Sequence, residues 1–245
     1  MTEIIKKFVG YSKSDVLLLK HDNRYIVRKI YNIDRNLERY KKLSELDLPI
    51  PNIILVTNDY YDMEYIPNIS VKQYLLTNSP KKLIDFLHMV ISKCSNNNIM
   101  KDYTFIYKSK LQYIDFSDIP FTKEELIYRL PKMLPCSDYH GDLTLDNILY
   151  NTKTNDFVLI DPITTEYDSY VFDLAKLNQD IVCKWFIRKE SVHISSKLKK
   201  ISDELNMFPY YDNKYIIILM LLRIMPYAIE NDKNFLKEEI KKLWK

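Results

Sequence analysis

Short hydrophobic segments alternate with polar turns over the first third of the chain, which predicts a small antiparallel sheet. Three segments rich in β-branched and aromatic residues form a predicted meander: Ile4 to Val9, Val16 to Lys20 and Tyr25 to Tyr31. A helix is predicted next, because apolar residues recur at helical spacing from Leu37 to Leu46 and Asp34 can cap the first turn. Two further strands are predicted at roughly residues 52–57 and 60–66.

Helical spacing dominates the rest of the chain. Capping residues and apolar periodicity predict three helical regions: Ser79 to Asn96, Thr122 to Arg129 and Tyr170 to Lys245. A loop and two short strands, at residues 148–150 and 157–160, interrupt the helices. The pattern therefore predicts an α+β fold with two lobes. Residues 1–67 form an N-terminal lobe with a small antiparallel sheet, and residues 68–245 form a mainly helical C-terminal lobe.

Composition narrows the class of partner and the compartment. The net charge of +3 arises from 36 basic and 33 acidic residues spread along the 245-residue chain, so a nucleic acid partner is not expected. Three cysteines without CxxC spacing favour free thiols in a reducing compartment. The most apolar segment, Tyr215 to Leu222, is too short to span a membrane, and the N-terminus lacks a stretch of signal-peptide length. We expect a cytoplasmic protein without a membrane span.

Oxygen-bearing side chains cluster in the middle of the sequence. The run His140-Gly-Asp-Leu-Thr-Leu-Asp-Asn147 is followed by a predicted strand that ends at Asp161, and then by Asp173. Phosphoryl transfer needs a group that orients and deprotonates the attacking hydroxyl, together with ligands for a cation beside the phosphates. The spacing of Asp142 and Asn147 matches the kinase catalytic loop H-R-D-x-x-x-x-N. A hard cation such as Mg²⁺ prefers oxygen ligands of this kind.

This run resembles the Brenner-type motif HxDxxxxN of the aminoglycoside phosphotransferase and choline kinase superfamily, which has a protein-kinase-like fold. The resemblance implies that Asp142 is the catalytic base and that Asn147 and Asp161 are the magnesium ligands. It implies a structural role for His140, which would brace the loop. Asp173 resembles part of the superfamily's next motif and is expected to support the catalytic loop.

A kinase of this kind also needs a cation from the third strand at the nucleotide phosphates. Arg28 and Lys29 are adjacent, so they point to opposite faces of the strand, and alternation alone does not decide between them. Glu38 on the following helix is the expected ion-pair partner of this cation, with Glu45 in reserve.

Two further segments are expected to contact the nucleotide. The segment Gly10-Tyr-Ser-Lys-Ser-Asp15 would cover the phosphates, with the hydroxyl groups of Ser12 and Ser14 replacing part of the function of a glycine-rich loop. Glu64 and Tyr65 lie in the predicted hinge, where backbone groups would hold the edge of the purine.

The expected activity is the magnesium-dependent transfer of the γ-phosphate of ATP, or of GTP, to a hydroxyl group of a small molecule. Thr144 and Pro162 depart from the protein-kinase pattern and favour a small-molecule acceptor over a polypeptide. Candidate acceptors are a sugar or surface-glycan precursor, a choline-like amino alcohol and an aminoglycoside, and a sugar-type hydroxyl is slightly favoured. A protein kinase and a nucleotide-binding pseudokinase scaffold are the alternatives.

Overall fold

An antiparallel sheet and one helix form the N-terminal part of the molecule. The computed structural model describes residues 2–8, 15–22, 24–30, 33–96, 99–189 and 193–245. The elements of the N-terminal part are β1 (Thr2–Phe8), β2 (Asp15–His21), β3 (Arg24–Ile30), α1 (Ile33–Glu45), β4 (Ile53–Val56) and β5 (Tyr60–Glu64). The five strands pair in the order β1-β2-β3-β5-β4, and every neighbouring pair is antiparallel.

The register between β3 and β5 decides which side chains of β3 face α1. Lys29 lies opposite Tyr61, whereas Arg28 lies opposite Asp62. Tyr61 belongs to a small apolar cluster with Tyr40 of α1 and with Met63. Because successive side chains of a strand alternate between its faces, Lys29 shares the face of β3 that packs against α1, and Arg28 projects from the other face.

Helices build most of the remaining chain. In chain order its elements are β6 (Asn68–Ser70), α2 (Val71–Thr77), α3 (Lys81–Cys94), β7 (Ile99–Asp102), α4 (Thr104–Leu111), α5 (Lys123–Arg129), β8 (Met133–Cys136), β9 (Ile148–Asn151), β10 (Asp156–Leu159), α6 (Tyr170–Ile181), α7 (Ser195–Leu205), α8 (Lys214–Ile224) and α9 (Glu230–Trp244). The short strands form the sheets β10-β9-β6 and β7-β8.

Two buried helices, α6 and α8, form the centre of the C-terminal part. Ile216 to Leu222 of α8 are all buried, and α8 packs against α6 and α9. An 11-residue helix is only about 16 Å long, so the apolar segment predicted from the sequence is a core helix. Among the described helices, none has both the length and the apolar character needed to span a membrane.

Helix α1 is fastened to the C-terminal part beside the end of β10. The amide nitrogen of Asn36 donates to the carbonyl oxygen of Pro162 at 2.6 Å. The hydroxyl oxygen of Tyr40 accepts a hydrogen bond from the backbone N–H of Asp161 at 3.3 Å. These contacts set the position of the sheet relative to the residues around Asp161.

The predicted α+β architecture of a small antiparallel sheet followed by a mainly helical part is confirmed. The capping box of Thr122 and Glu125 is present at the start of α5. At α3 the residue before the helix is Pro80, and the expected capping residue Ser79 accepts the backbone N–H of Lys81 at 3.3 Å. Strands β6, β7 and β8 contain only three or four residues, which is too short for a periodic pattern in the sequence. The proposed lobe boundary after residue 67 stays a prediction.

Candidate active site

Asp142 lies in a loop that ends in a 3₁₀ turn, Leu145–Asn147, directly before β9. The side-chain amide of Asn147 donates to the carbonyl oxygen of Asp142 at 2.7 Å and to its Oδ2 at 2.9 Å. The Nζ of Lys176, on α6, donates to Oδ1 of the same carboxylate. Partial burial raises the pKa of Asp142, but the positive charge and hydrogen bond of Lys176, together with the hydrogen bond from Asn147, hold the pKa below its ordinary value. The carboxylate is therefore ionised and fixed in orientation.

Asp173, in the first turn of α6, holds the backbone of this loop. One carboxylate oxygen accepts the N–H of His140, and the other accepts those of Gly141 at 3.0 Å and Leu143 at 3.4 Å. Complete burial raises the pKa of Asp173 to about 6, although the three N–H groups favour its ionised form. The structure thus places Asp173 in direct contact with the loop that it was expected to support.

Asp180 makes a similar contact two turns further along α6. This residue was not predicted from the sequence. Its Oδ2 accepts the N–H of Leu145 at 2.7 Å. Its other oxygen is buried and has no hydrogen-bond partner among the described residues. Burial raises the pKa of Asp180 well above its ordinary value. The available signal was the seven-residue spacing from Asp173, which places both carboxylates on one face of a helix.

His140 lies between the loop and the end of β10. It is fully buried, and burial lowers its pKa to about 4, so the imidazole is neutral at physiological pH. Nε2 lies 2.9 Å from the carbonyl oxygen of Ile160, and Nδ1 lies 3.2 Å from the backbone nitrogen of Asp142. A carbonyl only accepts and an N–H only donates, so the proton of the ring belongs on Nε2. His140 therefore bridges the loop that carries Asp142 and the strand that leads to Asp161.

Asp161 follows β10 and turns towards the same loop. The backbone N–H of Ile160 donates to the carbonyl oxygen of Asn147 at 3.0 Å, which brings the segment carrying Asp161 beside Asn147. Asp161 has a φ of 57°, in the left-handed region that non-glycine residues rarely adopt. The Nζ of Lys29 lies 2.7 Å from its Oδ1. Backbone strain of this kind is often found at functional sites.

These side chains have the chemistry of a magnesium site. The amide nitrogen of Asn147 is used by Asp142, so the amide oxygen of Asn147 is its free ligating atom. Together with the carboxylate of Asp161 it offers two hard oxygen ligands. The described residues contain no cluster of three or more His, Cys, Asp or Glu side chains that could hold a metal. This small set fits Mg²⁺, which usually retains waters and takes further ligands from substrate phosphates.

The structure brings Lys29 to this site and directs Arg28 elsewhere. Lys29 is buried, and its ammonium group pairs with Asp161. Arg28 forms a two-bond ion pair with Asp62, at 2.7 and 2.8 Å, and its guanidinium lies 3.6 Å from the centre of the Tyr60 ring. Their opposite directions follow from the register of β3 and β5.

Solved structures of small-molecule kinases share this arrangement of elements. A putative fructosamine-3-kinase from Haemophilus somnus 129PT is 9% identical, with a TM-score of 0.64 over 100% of this chain and 91% of that one. An ethanolamine kinase from Plasmodium vivax is 13% identical, with a TM-score of 0.59 over 100% and 82%. A thermostable mutant of aminoglycoside phosphotransferase APH(4)-Ia, in a ternary complex with AMP-PNP and hygromycin B, is 10% identical, with a TM-score of 0.68 over 97% and 92%.

The chain has the two-part, kinase-like fold of these solved small-molecule kinases. The fold implied by the resemblance around Asp142 is thus confirmed. No model of a protein family matches the sequence, and no curated protein matches it either.

The expected pairing of the β3 cation with α1 is not observed. Glu38 is exposed on α1, and its side chain makes no ion pair within the described part of the chain. Glu45 is exposed too and pairs with Lys42 at 3.3 Å. Lys29 instead pairs with Asp161, because its face of β3 is turned towards the end of β10. The predicted partner was therefore wrong: the carboxylate that pairs with Lys29 belongs to Asp161 of the C-terminal part and not to α1.

The remaining predicted nucleotide contacts lie at the hinge and in the phosphate-covering segment. Glu64 ends β5 and accepts a hydrogen bond from the side-chain amide of Asn52 at 2.9 Å. Tyr65 follows it, with its ring 5.7 Å from that of Tyr25. Ser12 and Ser14 lie outside the described residues. The nucleotide-binding roles of these four residues stay predictions.

Proposed function

We propose that this protein is a magnesium-dependent kinase that transfers the γ-phosphoryl group of ATP to a hydroxyl group of a small molecule. The observation that supports this function most is the convergence of Asp142, Asn147 and Asp161 beside the ammonium group of Lys29. The neighbours in the comparison are named as small-molecule kinases, and complexes of one of them contain ADP or AMP-PNP. Those complexes favour ATP over GTP as the donor.

In the proposed reaction, Asp142 orients the acceptor hydroxyl and takes its proton. The hydroxyl oxygen forms a bond to the γ-phosphorus as the bond between that phosphorus and the bridging oxygen breaks, and ADP is the leaving group. Asn147 and Asp161 would hold Mg²⁺, whose chemistry is to neutralise charge on the β- and γ-phosphates. Lys29, which lies against Asp161, is assigned the phosphate contact. Positioning and electrostatics supply most of the rate enhancement in such a site.

The acidic side chains near the candidate site favour a neutral acceptor. A polycationic acceptor such as an aminoglycoside would require free carboxylates, whereas three in this region pair with basic side chains of the protein itself. The pairs are Asp138 with Arg39, Glu166 with Lys110, and Asp168 with Lys101. We therefore propose a sugar-type metabolite with several hydroxyl groups as the acceptor.

The test is an ATP-consumption screen of the purified protein with Mg²⁺ against sugars, amino alcohols and aminoglycosides. We expect turnover with a sugar-type acceptor. Asp142→Asn should lower kcat about 10²- to 10⁴-fold, the usual contribution of general base catalysis, while binding of Mg·ATP stays within about twofold. Asp161→Asn should also weaken Mg·ATP binding. Asp203→Asn, which breaks the exposed pair with Lys199, is the matched control and should behave as wild type.

Three outcomes would count against the proposal. Wild-type turnover in Asp142→Asn would remove the assigned base. Undiminished Mg·ATP affinity in Asp161→Asn would remove the assigned ligand. A wild-type protein that binds no Mg·ATP would contradict the kinase function itself.

A further inference from the structure

A lysine from outside the catalytic loop lies at the proposed base. The loop His140–Asn147 contains two carboxylates, Asp142 and Asp146, and no lysine or arginine. The positive charge at Asp142 comes instead from Lys176, 34 residues further along the chain on α6. The sequence reading assigned no role to this lysine.

We propose that Lys176 is a catalytic residue that contacts the phosphoryl group as it moves onto the acceptor oxygen. The inference rests on the proposed kinase function, because it requires Asp142 to hold the acceptor hydroxyl. An acceptor oxygen bound at Asp142 lies beside the ammonium group of Lys176, and the transferring phosphorus must come within bonding distance of that oxygen. The N–H groups of Lys176 are then within reach of the phosphoryl oxygens.

The contacts of α6 argue against a purely structural role for Lys176. Asp173 and Asp180, on the same face of the helix, already hold the backbone N–H groups of the loop. Lys176 makes its described contact with a side-chain oxygen of Asp142, which Asn147 already orients through its other oxygen. The loop is thus held without Lys176, and its ammonium group is directed at the reacting end of Asp142.

Exposure shows on which side this ion pair is open. The side chain of Lys176 is 13% exposed, whereas that of Asp142 is 42% exposed. The lysine stem is therefore enclosed by protein, and the pair opens towards solvent on the side of the carboxylate. A substrate that approaches Asp142 meets an ammonium group that has lost most of its hydration, and a charge in such surroundings interacts more strongly with a phosphate.

Two lysines with largely enclosed side chains flank the path of the phosphoryl group. Lys29 pairs with Asp161, on the side of the proposed cation and the leaving nucleotide. Lys176 pairs with Asp142, on the side of the acceptor. During transfer the phosphoryl group, with its negatively charged oxygens, moves away from the leaving oxygen near Lys29 and towards the acceptor oxygen near Lys176. Lys176 would therefore stabilise the transition state more than bound ATP. This difference predicts an effect on kcat and little effect on nucleotide affinity.

The experiment compares Lys176→Met, Lys176→Arg and the control Lys199→Met, which removes an exposed lysine of α7. Calorimetry measures the binding of Mg·AMP-PNP and of Mg·ADP with aluminium fluoride, which mimics the transferring phosphoryl group. The value of kcat is measured with the acceptor identified in the screen. For Lys176→Met we expect a loss of about 10²- to 10³-fold in kcat and in affinity for the aluminium fluoride complex, the scale seen when one donor to a developing charge is removed. Affinity for Mg·AMP-PNP should stay within about twofold. Lys176→Arg should recover part of both losses, and Lys199→Met should match wild type.

Equal losses of Mg·AMP-PNP and aluminium fluoride affinity in Lys176→Met would show a general disturbance of the site and overturn the inference. Wild-type kcat in this variant would overturn it as well, while the proposed function stood. A wild-type protein that bound neither complex would refute the proposed function and the inference with it. If methionine lowers the Tm, Lys176→Gln, which keeps a polar end, gives the same readouts.

Discussion

The substitution Gly141→Ala tests how closely the loop that carries Asp142 packs against the segment that follows Asp161. Gly141, one of only two glycines in the chain, has a φ of 88°, and a Cβ placed on it would lie 2.0 Å from the carbonyl oxygen of Ile163. Ordinary van der Waals contacts of a Cβ are 3.4–4 Å, so the two backbones would have to separate by more than 1 Å. The positive φ costs an alanine a further 1–2 kcal/mol or so. With about 1–3 kcal/mol for overpacking, we expect a loss of roughly 2–5 kcal/mol in the free energy of unfolding.

The same displacement should affect activity, because Gly141 precedes Asp142 and Ile163 lies two residues after Asp161. Separating these segments by about 1 Å moves the base relative to the proposed cation ligand, and a misplacement of that size can cost about 10²-fold in rate. Urea unfolding would measure the stability, calorimetry the affinity for Mg·ATP, and the coupled release of ADP the turnover. We expect losses in all three.

Thr165→Ser is the matched control. Besides the backbone of Ile163, the added Cβ would meet a side-chain atom, Cγ2 of Thr165, at 3.0 Å. Serine removes that methyl group and keeps the hydroxyl that accepts a hydrogen bond from the backbone N–H of Tyr167. Alone it should be close to neutral, and combined with Gly141→Ala it should not restore stability, because the main clash is with backbone. An alanine variant with wild-type stability and turnover would refute the described approach of the two segments.

Two further predictions concern buried groups, the neutral imidazole of His140 and the ion pairs of Arg28 and Lys29. His140→Asn should change how stability depends on pH: burial lowers the pKa of His140 from 6.5 to about 4, so its contribution is fully present above pH 6.5 and is lost as the pH falls from there through about 4. Urea unfolding from pH 7 to 4 should show wild type losing about 3 kcal/mol more than the variant, and parallel curves would contradict the assigned burial. Arg28→Ala should leave Asp62 buried without its partner and cost about 3 kcal/mol of stability with Mg·ATP affinity kept, whereas Lys29→Met should weaken that affinity. Reversed results in calorimetry and thermal unfolding would exchange the assigned roles of Arg28 and Lys29.

The sequence predicted the fold and the proximity of Asp142, Asn147 and Asp161 because both depend on local spacing. Asp142 and Asn147 are five residues apart in one loop, and Asp161 ends a strand of the following hairpin, so chain connectivity alone brings them near one another. Lys29 could not be separated from Arg28, because alternation shows that two neighbours face opposite ways without showing which face is covered. That decision needed the register of β3 with β5.

Glu38 and Asp180 show the limits of reasoning from local spacing. Glu38 was predicted to pair with the cation of β3 and does not within the described residues, whereas Asp180 contacts the loop and was not predicted. Glu38 was chosen because it lies on the helix next to the cationic strand, but the exposed face of α1 carries it away from Lys29. Asp180 was not among the predicted residues, because its spacing from Asp173 does not by itself show that it is buried. Its burial results from the packing of α6 in the centre of the C-terminal part, which depends on contacts with distant parts of the chain.

The buried carboxylates of α6 explain how a loop with little regular structure can hold a reacting group in place. Asp173 and Asp180 are seven residues apart, about 10.5 Å along the helix axis, and they fix the loop at His140 to Leu143 and at Leu145. Because the pKa of Asp173 is raised to about 6, keeping it ionised at neutral pH costs about 3 kcal/mol of folding free energy. A solvated loop would avoid that cost but would leave Asp142 free to move. Stability is thus given up where a fixed position of the carboxylate of Asp142 is required. The packed helix α6 provides that fixed position, because its buried carboxylates hold the backbone of the loop.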